Sequence, residues 1–184
     1  MFEKFIKSFP ITKGNKKEPY IILFDAYTGM GKSTVSKLIA SYDNSIILNN
    51  DEVREFLNDY SDSTNLKKEL QEYRLKELLK EKNSCILDSC FNHNFDEKIK
   101  YIKNLKVKYY IIRLICDEKT IKKRLNIRKK DSDNYSIATY KDYLWMKNNV
   151  SYIDDKLIDF EIDTTKNLIP QVKEFLDKYD ILNK

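Results

Sequence analysis

The sequence predicts an α/β protein of three layers, a five-stranded parallel sheet with helices on both faces. Short apolar runs of strand length alternate with longer stretches of helical period, the pattern of parallel strands joined by crossover helices. Two of the three glycines, Gly29 and Gly31, fall between the first apolar run and the first helical stretch. With 184 residues, 41% hydrophobic and 34% charged, the chain can bury a core as one domain, taken as residues 1–184.

The elements follow in order. Residues 1–18 form an N-terminal extension in which Phe2, Phe5, Ile6 and Phe9 suit one face of a short helix. Strands are expected at Tyr20–Asp25, Ser45–Asn49, Ser84–Asp88, Lys108–Ile115 and Leu157–Ile162, each an apolar run of strand length. Helices are expected at Lys32–Ser41, Glu52–Asp59, Leu66–Glu81, Asp96–Asn104, Glu118–Ile127, Ile137–Asn149 and Asn167–Tyr179. The polar stretch of about 124–136 has no apolar period and reads as a lid. Ligands of such sheets gather at the carboxyl ends of the strands, so chemistry is expected there.

The first strand end carries it. "AYTGMGKS", Ala26 to Ser33, matches the Walker A pattern A/G-x-x-x-x-G-K-S/T between a strand and a helix. A polyphosphate needs a loop whose backbone N–H groups turn inward, and Gly29 and Gly31 permit that conformation and a close approach. Thr28, Gly29, Met30, Gly31, Lys32, Ser33 and Thr34 are therefore the expected ATP contacts. Lys32 would reach the β- and γ-phosphates, the helix N-terminus would add its partial charge, and Ser33 would place its hydroxyl on Mg²⁺. Thr34 is a reserve hydroxyl that reads better as a first-turn helix residue.

The next two strands end in carboxylates. "NNDEVREF" sets Asp51 and Arg54 three apart on one helical face, with an N-capping aspartate as the simpler alternative. "CILDSCFN" ends in Asp88, and a carboxylate at the end of a buried strand costs desolvation unless it meets a cation. Arg124 and Arg128 stand one helical turn apart ahead of the polar stretch. Such a pair can lay one guanidinium on adenine and bring the other to the transferring phosphate.

These motifs together resemble the P-loop kinases of the polynucleotide-kinase type, a group filed near the AAA ATPases and close to the zeta-type toxins. The likeness runs from about Tyr20 to Asn149, and "LIDFEIDTTKNLIPQVKEFL" extends it nearly to the end of the chain. It implies that Asp51 is the general base on the acceptor hydroxyl, that Arg54 holds the acceptor's phosphate, and that Asp88 orients Arg54. It implies lid roles for Arg124 and Arg128, and an adenine-flanking turn at Asp163–Thr165, with Thr164 as a contact. The expected activity is ATP- and Mg²⁺-dependent phosphorylation of a hydroxyl, with the 5′-hydroxyl of RNA or DNA favoured. Acceptors of the gluconate, shikimate or nucleotide-sugar kind are the alternative, and a nucleotide-binding module without turnover is the reading from another class.

Several features are set aside. A net charge of +5 fits a lysine-rich surface as well as a polyanionic partner. The three cysteines contain no CxxC and there is one histidine, so neither a zinc site nor a disulfide framework is expected. No run is long enough to span a bilayer and the N-terminus lacks a signal peptide's core, which reads as cytosolic. His93 is expected to be surface, Cys90 structural, and Trp145, with Tyr140, Tyr143 and Leu144, to pack its helix, although an aromatic there could also stack a base.

Overall fold

A computed structural model describes residues 1–57, 64–128 and 138–183, with the backbone alone given for Asp51, Glu55, Thr64, Arg128 and Asn183. The expected architecture is present: helix α1 (Phe2–Ser8), strand β1 (Tyr20–Asp25), α2 (Lys32–Asp43), β2 (Ile46–Asn49), α3 (Asn50–Leu57) and α4 (Thr64–Lys80). There follow β3 (Cys85–Asp88), α5 (Phe95–Asn104), β4 (Lys108–Ile115), α6 (Glu118–Arg128), α7 (Tyr140–Asn149), β5 (Phe160–Asp163) and α8 (Leu168–Lys178). All strand pairs are parallel, in the order β2-β3-β1-β4-β5.

The central position of β1 explains its unbroken apolar run. Tyr20, Ile22 and Phe24 face one core with Val35 and Ile39 of α2 and Val172 and Phe175 of α8. Ile21 and Leu23 face a second core with Leu75 and Leu78 of α4 and Ile99 and Ile102 of α5. A strand buried on both faces has no polar side to alternate with. A third, smaller core holds Phe5 of α1 against Val53, Leu57 and Leu70, with Phe2, Ile6 and Phe9 packed around it. The aromatic face expected for the N-terminal helix thus seats α1 on α3 and α4.

Two boundaries moved for local reasons. β5 begins at Phe160 rather than Leu157, because Asp154 accepts from the Lys156 amide (2.9 Å) and closes a 3₁₀ turn at Asp155–Leu157. α7 begins at Tyr140, where Thr139 and Asp142 form a reciprocal capping box; Ile137 lies outside the described residues. Residues 58 and 59 of the expected third helix lie outside them too, as does the lid beyond Arg128. Among the described residues no helix is long and apolar enough to cross a membrane.

Candidate active site

The site is built on the turn that follows β1. Gly29 and Gly31 both adopt positive φ, +80° and +96°, which an L side chain rarely takes. A Cβ at Gly29 would also come within 2.9 Å of the Ile121 and Leu125 side chains. Thr34 and Val35 both donate backbone N–H groups to the Gly31 carbonyl (3.1 Å each), so α2 starts directly from the loop. Lys32 folds back over the loop and donates from Nζ to the Tyr27 carbonyl at 2.9 Å. Met30 is buried, its sulfur accepting from the Tyr27 amide at 3.1 Å. Its side chain therefore braces the loop, and any phosphate contact it makes is through its backbone.

A cleft of about 520 Å³ opens at this end of the sheet. Thr28, Gly29, Gly31, Lys32 and Ser33 form one wall; Asn49, Asn50, Arg54, Asp88, Ser89 and Cys90 form the other. Ala138 and Asp142 close it from the start of α7. The topology accounts for this meeting: β3 lies between β1 and β2, and the pairing of Asn49 with Asp88 brings both strand ends to the loop. α3 is held against α4 by the Arg74–Glu52 ion pair and the Gln71–Asn50 hydrogen bond, which fixes the helix carrying Arg54.

The side chain of Asp51 lies outside those described, but its backbone stands in α3 between Asn50 and Arg54, both on the cleft wall. The capping role considered for it falls to Asn49, whose Oδ1 accepts from the Glu52 amide at 2.9 Å. The Arg128 side chain, like residues 129–136 of the lid, is outside the described set.

A separate hollow of about 260 Å³ is lined by Gly31, Thr34, Arg124, Ile127, Thr164 and Leu168. Arg124 is fixed there, donating to Thr164 Oγ1 (3.0 Å), to the Thr164 carbonyl (2.6 Å) and to Cys116 Sγ (3.3 Å). The guanidinium plane is thereby set before any ligand arrives. Thr34, read from sequence as an ordinary first-turn residue, lies on this wall. Arg124→Ala is expected to raise KM for ATP about tenfold, the scale of a desolvated cation–π contact, with a smaller change in kcat. Steady-state kinetics against ATP would check it, and an unchanged KM would remove Arg124 from the donor site.

Sequence reasoning missed a buried network beneath the loop. Asp25, fully buried at the end of β1, accepts from Arg113 Nε (2.7 Å) and from the Ile153 amide (3.3 Å). Arg113 also donates to Asp155 and to the Ile153 carbonyl. Burial pushes the Asp25 carboxyl up from the ordinary carboxylate range, against the opposing pull of Arg113. A lone arginine inside the apolar run "YYIIRLI" was the available signal. Trp145 corrects another expectation: Tyr143 is buried and Leu144 packs on the core, but Trp145 is 54% exposed and faces His93.

Residues 22–152 match the model of the AAA domain family. The chain belongs to that family and is an ATP-dependent P-loop kinase of it. No functionally curated protein matches it by sequence. Among solved structures, the kinase resembles one described as a putative kinase from Chloroflexus aurantiacus, at 16% identity and TM-score 0.66, over 91% of this chain and 98% of that one. The Mycobacterium tuberculosis APS kinase in complex with AMPPNP and APS gives 16% identity and TM-score 0.59, over 91% and 99%. A gluconokinase from Sinorhizobium meliloti gives 12% and 0.58, over 92% and 95%. At these identities the likeness speaks for the fold.

Proposed function

We propose that this kinase transfers the γ-phosphate of ATP to a hydroxyl of a small, anionic acceptor. The observation that carries the reading is a hollow of about 440 Å³, bounded by α3, α4 and α5, that shares Asn50, Arg54 and Ser89 with the phosphate cleft. That volume suits a small molecule. Leu48, Leu75, Leu87, Phe91 and Ile102 supply apolar walls, and the charged residues among the described lining are Arg54, Lys67, Lys68 and Lys98 with Glu72 and Glu97, of which Lys68 pairs with both glutamates. Lys98 is anchored on the Cys90 carbonyl at 2.9 Å, and burial pulls its ammonium below the usual lysine value. An anionic acceptor would relieve that cost.

The preference for a 5′-hydroxyl of RNA or DNA expected from sequence gives way to the small-molecule alternative. The APS kinase and gluconokinase that share the fold are not polynucleotide kinases, and a bounded hollow beside the cleft favours the same choice.

In this reading the loop amides and Lys32 hold the β- and γ-phosphates, and Arg124 with Thr164 holds the adenine. Asp51 takes the proton of the acceptor hydroxyl as it attacks in line. Arg54, oriented by Asp88, holds the acceptor's negative group, and Arg128 meets the transferring phosphate. The residues fit Mg²⁺ bound with ATP: Ser33 and Asp88 bring oxygens to one cleft, and this ion takes most of its ligands from phosphate and water. Among the described residues no group of three or more acidic, histidine or cysteine side chains would hold a metal alone. Bound there, Mg²⁺ would neutralise charge on the phosphates.

An acceptor screen with γ-labelled ATP tests the proposal, comparing sugar acids, hydroxy acids, nucleotides and oligonucleotides. Labelling of a small anion, with a KM that rises in Arg54→Ala, is the expected result. Labelling of oligonucleotides alone would restore the polynucleotide reading, and ATP binding without transfer in single turnover would point to a regulatory module. In the same assay Asp51→Asn should lower kcat by about 10²-fold or more with KM for ATP kept, the scale of general-base catalysis. Loss of ATP affinity instead would make Asp51 structural or a metal ligand.

A further inference from the structure

Beside the transfer cleft lies a hollow of about 540 Å³, between the β3–α5 loop and the end of α7, that the kinase reaction leaves unused. It shares no residue with the hollow at Arg124 and Thr164, so it is separate from the place argued for the donor's adenine. Three independent observations describe what it would hold.

The first is its aromatic wall. Trp145, the chain's single tryptophan, is 54% exposed on a capped helix, with its ring 6.1 Å from that of His93. Tyr152 lines the same hollow and is 44% exposed. The second is Asn92, which is only 5% exposed yet has no partner for Oδ1 or Nδ2 among the described residues. Buried amides nearly always find partners, because an unmade hydrogen bond forfeits the water it displaced. The loop carrying Asn92 is pinned to the sheet through the Phe91 amide, which donates to the Phe24 carbonyl at 2.9 Å. A ligand that met this amide would have no existing hydrogen bond to displace. The third is charge: Asp96 and Asp154 stand on the wall, and no lysine or arginine is among the described lining residues. A phosphate would be repelled there.

We propose that this hollow is a second ring-binding site, for a neutral heteroaromatic of the nucleoside kind. The ring stacks on Trp145 beside His93. Asn92 meets the ring edge, since a carboxamide offers one acceptor and two donors and pairs with the adjacent donor and acceptor of a base. The cleft and the hollow stand along one helix: Asp142 of α7 lines the cleft, whereas Trp145 and Asn149 line the hollow. The hollow meets the one proposed for the acceptor at Asn94, and the proposal does not depend on which acceptor is used.

Trp145 is its own reporter. The whole chain, saturated with ADP and Mg²⁺ to fill the donor site, is titrated with adenosine, guanosine, cytidine and uridine while tryptophan emission is recorded. Ribose and inorganic phosphate are the controls. At least one nucleoside should quench saturably, with half-saturation at or below about 1 mM. Asn92→Leu should weaken that binding about tenfold without lowering the melting temperature, because it removes an unpartnered amide rather than a made bond. His93→Ala, at the rim, should weaken binding several-fold in a chain whose interior is untouched. No quenching by any nucleoside at about 10 mM, equal quenching by ribose, or an unchanged midpoint in both variants would overturn the site.

Discussion

Replacing Lys32 with alanine is expected to lower kcat/KM for ATP about 10³-fold while the melting temperature stays within a few degrees, the scale seen when a preorganised charge is withdrawn from a transition state. The loop offers its phosphate ligands mainly as fixed backbone N–H groups, and Lys32 Nζ is the mobile cation on its wall of the cleft. Its 2.9 Å hydrogen bond to the Tyr27 carbonyl keeps the ammonium over the loop. Negative charge spreads over the equatorial oxygens as the phosphoryl group moves, so removing that cation penalises the transition state more than the ground state. Steady-state kinetics, with calorimetry of the same variant, separates the chemical loss from misfolding. Transfer at wild-type rate would mean that this loop is not the catalytic cradle.

The second large effect concerns stability. Arg113→Leu is expected to cost about 3–5 kcal/mol, because it strands the Asp25 carboxylate in the interior without its cation. In a chain of this size that corresponds to a fall in melting temperature of roughly 10 °C. The Asp25 side chain is fully buried and that of Arg113 is 13% exposed, so solvent cannot replace the lost partner. The pH dependence has a definite sign. Burial already raises the folded-state pKa of Asp25 above its unfolded value, and losing Arg113 removes the opposing pull. The folded variant therefore binds its proton more readily than the unfolded chain does, and stability falls as pH rises through that window. Its deficit relative to wild type should narrow as pH is lowered from neutrality. A double variant, Asp25→Leu with Arg113→Leu, should recover part of the loss. A deficit that grows at low pH would mean that Asp25 is not its source.

The network also ties stability to the site. Asp25 immediately precedes the phosphate loop, and Arg113 anchors Ile153 and Asp155 in the segment that returns from α7. Tyr27 of the loop packs its ring against that of Tyr152, tilted by 30° at 4.6 Å, and donates to the Val150 carbonyl at 2.6 Å. The loop is thus held from below by the segment that follows α7, the helix whose start closes the cleft.

The sequence by itself determined the parts whose physics is local. A phosphate loop needs glycines, a lysine and a hydroxyl residue in consecutive positions, so the Gly29–Ser33 cradle could be read directly. The parallel sheet followed from short apolar runs alternating with stretches of helical period, and the candidate site followed from Asp88 at one strand end and Arg54 on the helix that begins at another. Even α7's start was written locally, in the Thr139–Asp142 box, although the helical period ran past it. What only the tertiary structure decided depends on partners far apart in the chain. Arg113 and Asp25 are 88 residues apart, and nothing in either neighbourhood names the other. Trp145 looked like helix packing because its neighbours do pack; its exposure depends on where the β3–α5 loop places His93 and Asn92. The hollow proposed for the acceptor exists only where α3, α4 and α5 converge, so the phosphate loop could be read from spacing while that hollow could not.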